Sequence, residues 1–177
     1  MALILSGDTG VPASGMPTGS VIQTVSAVKT DTFASTPGAV WTDVSGLSVS
    51  ITPISSSNKI LIIVDVKGSG TASNSIVRTR ILRNSTAIYI GDAASNRPLA
   101  LGQFYIGAQG DNVHYLAQIG GSYIDSPATT SATTYKIQIG SDANDRTCYV
   151  NRTQADRDTS YYDSRVASSI TVMEIKG

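Results

Sequence analysis

A single glutamate, Glu174, stands among the 177 residues of this chain, and the scarcity of helix formers constrains its fold more than any other feature. Leu and Lys are also scarce, while the sequence holds 24 Ser and 19 Thr residues. Glu, Leu and Lys favour helices, whereas the plentiful Val, Ile, Thr and Tyr favour strands. The composition therefore excludes a helical bundle, argues against a Rossmann-type α/β fold, and predicts an all-β domain.

Alternation of apolar and polar residues supports this prediction. Residues 47–52 and 76–83 alternate with a period of two, which places one face of each strand in a core and the other in water. Residues 59–67 are almost continuously apolar and predict a central strand with both faces covered. The predicted strands are 20–29, 40–44, 47–51, 59–67, 76–83, 86–90, 99–106, 112–119, 134–139, 147–151 and 169–176. Turn chemistry separates them at 55–58, 68–75, 83–85, 109–112 and 141–145. Short strands at this spacing are typical of a β-sandwich or a barrel.

The first 19 residues differ from the rest because they combine four Gly and two Pro with one apolar cluster. Gly and Pro at this density break regular elements, so we expect a short extended arm over 1–19 and a single β domain over 20–177. Leu3, Ile4 and Leu5 are the predicted anchoring residues of this arm. The alternative is a disordered tail.

Charge and cysteine content limit the classes of partner. The chain carries 13 basic and 13 acidic residues and has no basic run, so no nucleic-acid partner is expected. Its apolar stretches are too short to cross a membrane, and the N-terminus lacks the positive region of a signal peptide. One cysteine, Cys148, excludes an internal disulfide framework. These features fit synthesis in the cytosol and predict no membrane partner.

Catalytic patterns are missing from the sequence. His114 is the single histidine, and no GxSxG, Walker A or strand-associated GxGxxG motif occurs. Glu174 lies in a predicted strand where Met173 and Ile175 share the opposite face, so we expect it to face solvent or to pair across strands. We therefore predict no catalytic residue, no cofactor and no enzymatic activity.

Metal-ligand patterns are weak as well. Asp142, Asn144 and Asp145 offer oxygen ligands at short spacing, but the Gly and the distant Glu of an EF-hand are missing. Such residues commonly serve turn conformation. No metal site is predicted.

Aromatic residues supply the best candidates for contact with a partner. Trp41, between Val40 and Val44, is expected in the core. The polar segment 153–164 is predicted to be a surface loop, and Tyr123 follows a Gly pair. Exposed aromatics among charged residues suit a carbohydrate or a protein interface. The predicted contact residues are Arg157, Asp158, Tyr161 and Tyr162.

Three stretches of the chain suggest a family when they are taken together. Residues 20–51 contain SVIQTVSAVKTDTFAS and VWTDVSGLSVSI, residues 125–136 read DSPATTSATTYK ahead of CYVNR, and the chain closes with SSITVMEIKG. This combination resembles a C-terminal domain of tail-fibre and other virion proteins of tailed bacteriophages, notably those of marine hosts. The opening 19 residues are similar to the short arm of phage structural proteins.

The resemblance implies a viral structural protein with a β-sandwich or jelly-roll domain, which is commonly a homotrimer. It implies no catalytic residues. A fibre needs a long shaft, and this chain offers only its short arm. We therefore expect a non-enzymatic capsid decoration (cement) or knob protein, anchored by its arm to other virion proteins and made in the host cytoplasm. The alternative is a tail-fibre head or receptor-binding protein that contacts host surface glycans. A free carbohydrate-binding module is the rival class.

Overall fold

The computed structural model describes residues 12–37, 40–71, 74–107 and 113–177. The predicted anchoring residues Leu3, Ile4 and Leu5 lie outside the described residues, as does the predicted turn at 109–112. The arm and domain boundaries at 1–19 and 20–177 remain predictions. Within the described part, Ala13–Gly15 form one turn of 3₁₀ helix.

The strands follow the predicted alternation closely. In the described residues they are β1 (Val21–Lys29), β2 (Phe33–Ser35), β3 (Thr42–Ile51), β4 (Lys59–Gly70), β5 (Ser75–Arg83), β6 (Thr86–Ile88), β7 (Gly102–Ile106), β8 (Ala117–Asp125), β9 (Thr133–Ser141), β10 (Cys148–Val150) and β11 (Ser168–Ile175).

Two antiparallel sheets form a sandwich. In the first sheet, β11 lies between β1 and β4, and β8 pairs with the other edge of β4. The short strand β10 pairs with the last three residues of β4, past the part that pairs with β11, and β2 pairs with β10. In the second, β3, β9 and β5 are neighbours, and β6 and β7 both pair with β5. The first strand lies beside the last, and β3 lies beside the distant β9. This is the jelly-roll arrangement, and the predicted all-β, jelly-roll-like sandwich is confirmed.

The core lies between the two sheets. It is filled by the side chains that point inward, which are every second residue along most strands. Tyr135 is fully buried in it, and its hydroxyl donates a 2.7 Å hydrogen bond to Asp125 Oδ2. Burial, together with this carboxylate, raises the pKa of Tyr135 well above its usual range. Other fully buried large apolar side chains are Leu47, Ile51, Ile60, Ile62, Val77, Ile81, Ile106, Ile137, Ile139 and Ile170.

Several details of the predicted strands are wrong. The outer face of β4 is not covered, since Ile63 there is 38% exposed, although β4 is central in its hydrogen bonding. The predicted strand 112–119 is displaced to β8, which runs through Gly120 and Gly121. A Cβ at Gly120 would lie 2.4 Å from Val64 O, so this glycine permits close strand approach and does not end the strand. The predicted strands at 40–44 and 47–51 are one strand, β3, which passes through Gly46 at a positive φ of 83°.

Of the two expectations for Glu174, exposure to solvent is wrong, whereas pairing across strands is observed, because Gln23 lies opposite it on β1 and donates to its carboxylate. The Glu174 side chain is fully buried on the same face of β11 as Ile170 and Val172. Its carboxylate accepts hydrogen bonds from Ile54 N at 2.7 Å, from Asn58 Nδ2 at 2.5 Å and from Gln23 Nε2. The charge is tolerated because three donors converge on it.

Candidate contact surface

The loop between β10 and β11, residues 151–166, contains all four predicted contact residues, and we call it the contact loop. It enters β11 at Ser168, which pairs with Lys29 at the end of β1. The other end of β11 lies beside the N-terminal residues, where Gly19 N donates to Lys176 O and Lys176 N donates to Ser20 O. The contact loop and the N-terminal segment therefore meet opposite ends of one strand.

Asn151 ties the start of the contact loop to the sandwich. It is fully buried and has a positive φ of 63°, a conformation that Asn adopts more readily than most residues. Its Nδ2 donates to Lys29 O at 2.7 Å and to Asp31 O at 2.9 Å, and its Oδ1 accepts from Ser168 Oγ at 2.6 Å. One side chain thereby connects the ends of three strands.

Asp163 holds the middle of the contact loop in place. Its side chain is 2% exposed, and its carboxylate accepts from Thr153 Oγ1 at 2.5 Å, His114 Nδ1 at 2.9 Å and Arg157 N at 3.1 Å. Burial alone would raise the pKa of Asp163, but the hydrogen bonds from Thr153, His114 and the Arg157 amide outweigh it and lower that pKa to about 2. The loop is thus organised around an ionised carboxylate.

An arginine pair braces the loop around Asp156. The Asp156 carboxylate lies 3.2 Å from Arg152 Nη1 and 2.9 Å from Arg165 Nη2. Arg152 also donates to the carbonyls of Thr153 and Gln154, and its guanidinium lies 4.6 Å from the centroid of the Tyr149 ring. Ion pairs that share one carboxylate form a network, which orders a loop better than an isolated surface pair does.

The predicted contact residues are brought together on the outside of this frame. Tyr161 is 85% exposed and Tyr162 is 65% exposed, and the Tyr162 ring stacks on His114 with centroids 5.0 Å apart. Arg157 and Asp158 line an adjoining open cleft of about 230 Å³. Two aromatic rings and a charged cleft therefore lie on a loop that the contacts of Asp163 and Asp156 already order. Binding of a partner there would lose little conformational entropy.

The His114–Asp163 pair has the geometry of a general base and its orienting carboxylate. In the described part of the chain, no serine or cysteine side chain hydrogen-bonds to the His114 ring, which contacts Asp163 and Tyr162. His114 also lies before β8 and not on a strand, contrary to the sequence prediction. The pair acts as a support for the loop. Sequence analysis missed this network, for which a lone Asp between Tyr162 and Ser164 was the only signal.

Tyr123 and Cys148, which the sequence analysis also considered, are buried in the structure. Tyr123 is in the core, 7% exposed, with its ring centroid 3.7 Å from that of Tyr89. Cys148 is fully buried, and this burial, with the nearby Asp142 charge, raises the pKa of its thiol to about 12.

The candidate oxygen ligands Asp142 and Asp145 contact neighbouring groups of the protein. Asp142 Oδ1 accepts from Ile76 N at 3.0 Å, and Asp145 lies 3.6 Å from Arg146 Nε. Across the described ranges, no three His, Cys, Asp or Glu side chains gather as metal ligands would. In the same residues, no helix has the length and apolar character needed to cross a membrane.

Comparison with known proteins gives likenesses of fold and no family. No protein-family model matches the sequence, and no curated protein matches it significantly. Among solved structures, the chain is similar to one described as infectious bursal disease virus Gx strain, with 16% identity and a TM-score of 0.42. It is also similar to T=1 particles derived from that virus (10% identity, TM-score 0.42) and to its VP2 subviral particle (10%, 0.40).

These likenesses cover 99% of this chain but 40%, 44% and 46% of the matched chains, so the chain spans less than half of their length. The three matched structures are described as those of a virus or of particles derived from it. At these TM-scores the likeness describes an arrangement of strands, and it assigns no function.

Proposed function

We propose that this chain is a non-enzymatic structural protein of a virion, held on the particle by its N-terminal residues and presenting the contact loop outward. The observation that carries the proposal is the placement of the two segments at opposite ends of β11. Eight strand residues separate them by roughly 25 Å. A partner at one end of the sandwich therefore leaves the other end accessible.

The sequence of the N-terminal segment supports its role as the anchor. Leu3, Ile4 and Leu5 are consecutive apolar residues in a stretch rich in Gly and Pro. Burial of each large side chain against a partner contributes about 1.5 to 3 kcal/mol, less the cost of ordering the segment. We propose that the partner is another virion protein, of the capsid or of the tail, and that the chain is a capsid decoration or knob protein.

The anchoring role is tested by Leu3→Ser, Ile4→Ser and Leu5→Ser in the full chain. The triple variant is expected to fold but to be lost from virions that are purified by density gradient. Tyr161→Ser with Tyr162→Ser is the matched control, since it removes exposed apolar surface at the opposite end, and it is expected to stay on the particle. Equal retention of the triple variant would refute the anchoring proposal.

A second candidate function is that of a tail-fibre head or receptor-binding protein that contacts host surface glycans. It is favoured by the exposure of Tyr161 and Tyr162 beside the cleft of Arg157 and Asp158. Virions that carry Tyr161→Ala and Tyr162→Ala separate the two roles. Loss of adsorption to host cells indicates a receptor-binding head, whereas unchanged adsorption with lower heat resistance on removal of the protein indicates decoration.

We further propose that the chain assembles as a homotrimer, the state that the phage resemblance implies. Light scattering on the purified full chain is expected to give three times the mass of 18.5 kDa. A monomer at high concentration would overturn the trimer and leave assembly to the virion partner.

A further inference from the structure

The structure places Trp41 differently from its predicted position in the core. It lies just before β3 and is partly exposed on the outer face of the second sheet. The indole lies against Gly140 of β9, where an added Cβ would approach Trp41 Cε3 to 3.2 Å. The Arg80 guanidinium lies 4.4 Å from the ring centroid. Because Gly140 has no side chain, the indole can lie close to the sheet, and the cation–π contact with Arg80 holds it there.

An open cleft of about 150 Å³ adjoins this indole. Val40 and Pro98 provide further apolar surface, and Arg78 and Asp142 provide the polar groups. Arg78 Nη1 donates to Ser141 O at 2.9 Å, and Asp142 Oδ1 accepts from Ile76 N at 3.0 Å. Both groups are thus oriented by the backbone before any ligand binds.

The size and chemistry of the cleft select a class of ligand. The volume is half of the roughly 300 Å³ at which drug-sized pockets begin, so it suits a single small ring. A guanidinium and a carboxylate beside an indole can donate to and accept from neighbouring hydroxyl groups while the C–H face of the ring packs on the aromatic surface. Arg78 and Asp142 carry opposite charges, so together they favour a neutral ligand over a phosphate or a sulfate, which Asp142 repels.

We propose that this cleft binds the pyranose ring of a neutral glycan. Trp41 supplies the packing surface, Arg78 donates to sugar hydroxyls and Asp142 accepts from them. The inference is independent of the virion role, because it concerns a different sheet from the contact loop and different residues. It holds or fails whether or not the chain is found on particles.

Trp41 is the single tryptophan of the chain, so emission excited at wavelengths that tryptophan absorbs and the eight tyrosines do not reports on this cleft. The full chain is titrated with lactose, maltose, cellobiose, chitobiose and mannobiose, and separately with sodium phosphate. We expect a saturable change in emission with at least one of the sugars and none with phosphate. No saturable change with any of the sugars, or saturation by phosphate alone, would overturn the proposal.

Variants assign the response to the cleft. Arg78→Ala is expected to weaken sugar binding about tenfold or more, because hydrogen bonds from a charged group are lost. Asp142→Asn keeps an acceptor for the Ile76 amide, so it tests the carboxylate in a chain that retains this contact. Arg97→Ala removes the same charge at an exposed neighbouring position and is expected to bind as the parent does.

The contact-loop variant Tyr161→Ala with Tyr162→Ala separates this site from the surface proposed above. It is expected to keep the fluorescence response to sugar. If it loses the response while Arg78→Ala keeps it, the sugar site lies on the contact loop and the assignment to the Trp41 cleft is wrong.

Discussion

The carboxylate of Glu174 joins segments that are far apart in the chain. It accepts from the Ile54 amide, the Asn58 side chain and Gln23, all from a fully buried position. A buried donor that loses its acceptor costs about 1 to 3 kcal/mol. The single glutamate of the chain is therefore a structural residue and not a candidate acid.

Glu174→Ala is expected to lower the free energy of unfolding by about 3 kcal/mol, because several donors lose their acceptor together. Glu174→Gln keeps one acceptor oxygen and is expected to cost less. Urea denaturation measures both. Asp43→Ala is the control. The Asp43 side chain is 51% exposed, and the variant loses only its exposed contacts with Lys136 and Gln138, which are together expected to contribute about 1 kcal/mol. A Glu174→Ala effect as small as that of the control would contradict the role of this residue.

Asp163 makes the stability of the contact loop depend on pH. The folded-state pKa of about 2 lies below the value of about 3.9 that an unfolded Asp has. The ionised carboxylate therefore contributes stability that is fully present above pH 4 and is lost as the pH falls through 2. Thermal unfolding of the parent and of Asp163→Asn is expected to differ at pH 6 and to converge near pH 2. A difference of the same size at both pH values would rule out this origin.

At the scale of elements, Asn151 fixes the position at which the contact loop begins after β10. Its positive φ and its hydrogen bonds to Lys29 O, Asp31 O and Ser168 Oγ act together. Asn151→Ala loses all three bonds and strains the backbone, so we expect a loss of about 3 kcal/mol in unfolding free energy.

Asn84 offers a matched comparison for Asn151. It also has a positive φ, of 53°, but its side chain makes one exposed bond, to Thr134 N at 2.9 Å. Asn84→Ala is expected to cost about 1 kcal/mol. Limited proteolysis should cut the contact loop faster in Asn151→Ala and not in Asn84→Ala. Equal costs for the two variants would show that the backbone conformation alone matters at Asn151.

The strands could be predicted from the sequence wherever one face is buried, because alternation directly reports a half-buried strand. This argument failed for Glu174, where the apolar neighbours Met173 and Ile175 were assigned to the core face although Ile170 and Val172 define it. It also missed β2, whose three residues are too few to show a period.

The organisation of the contact loop could be predicted only in part. The polar composition of 153–164 indicates a surface loop, and Tyr161 and Tyr162 are exposed as expected. The bond from His114 to Asp163 joins residues 49 positions apart, and such pairing depends on the sheet topology. The Trp41 cleft was missed for the same reason, since β3 and β9 meet only in the folded sandwich.

At the scale of the whole molecule, the jelly roll separates the two proposed roles, anchoring and contact with a partner, in space. Gly19 and Ser20 hydrogen-bond to Lys176 at one end of β11, and the contact loop enters the other end at Ser168. The sandwich between them is braced by buried networks around Glu174 and Asn151, so it can hold the proposed anchor and the proposed contact surface in a fixed relative orientation. This geometry suits a protein that stands on a larger assembly.

The measurement that tests this account most directly is the protein content of gradient-purified virions from a culture that produces the chain. Quantitative mass spectrometry is expected to find the chain in the particle fraction, at a fixed ratio to the major capsid or tail protein that survives a second gradient. If the chain stays in the soluble fraction and is missing from intact particles, the proposal of a virion structural protein is wrong.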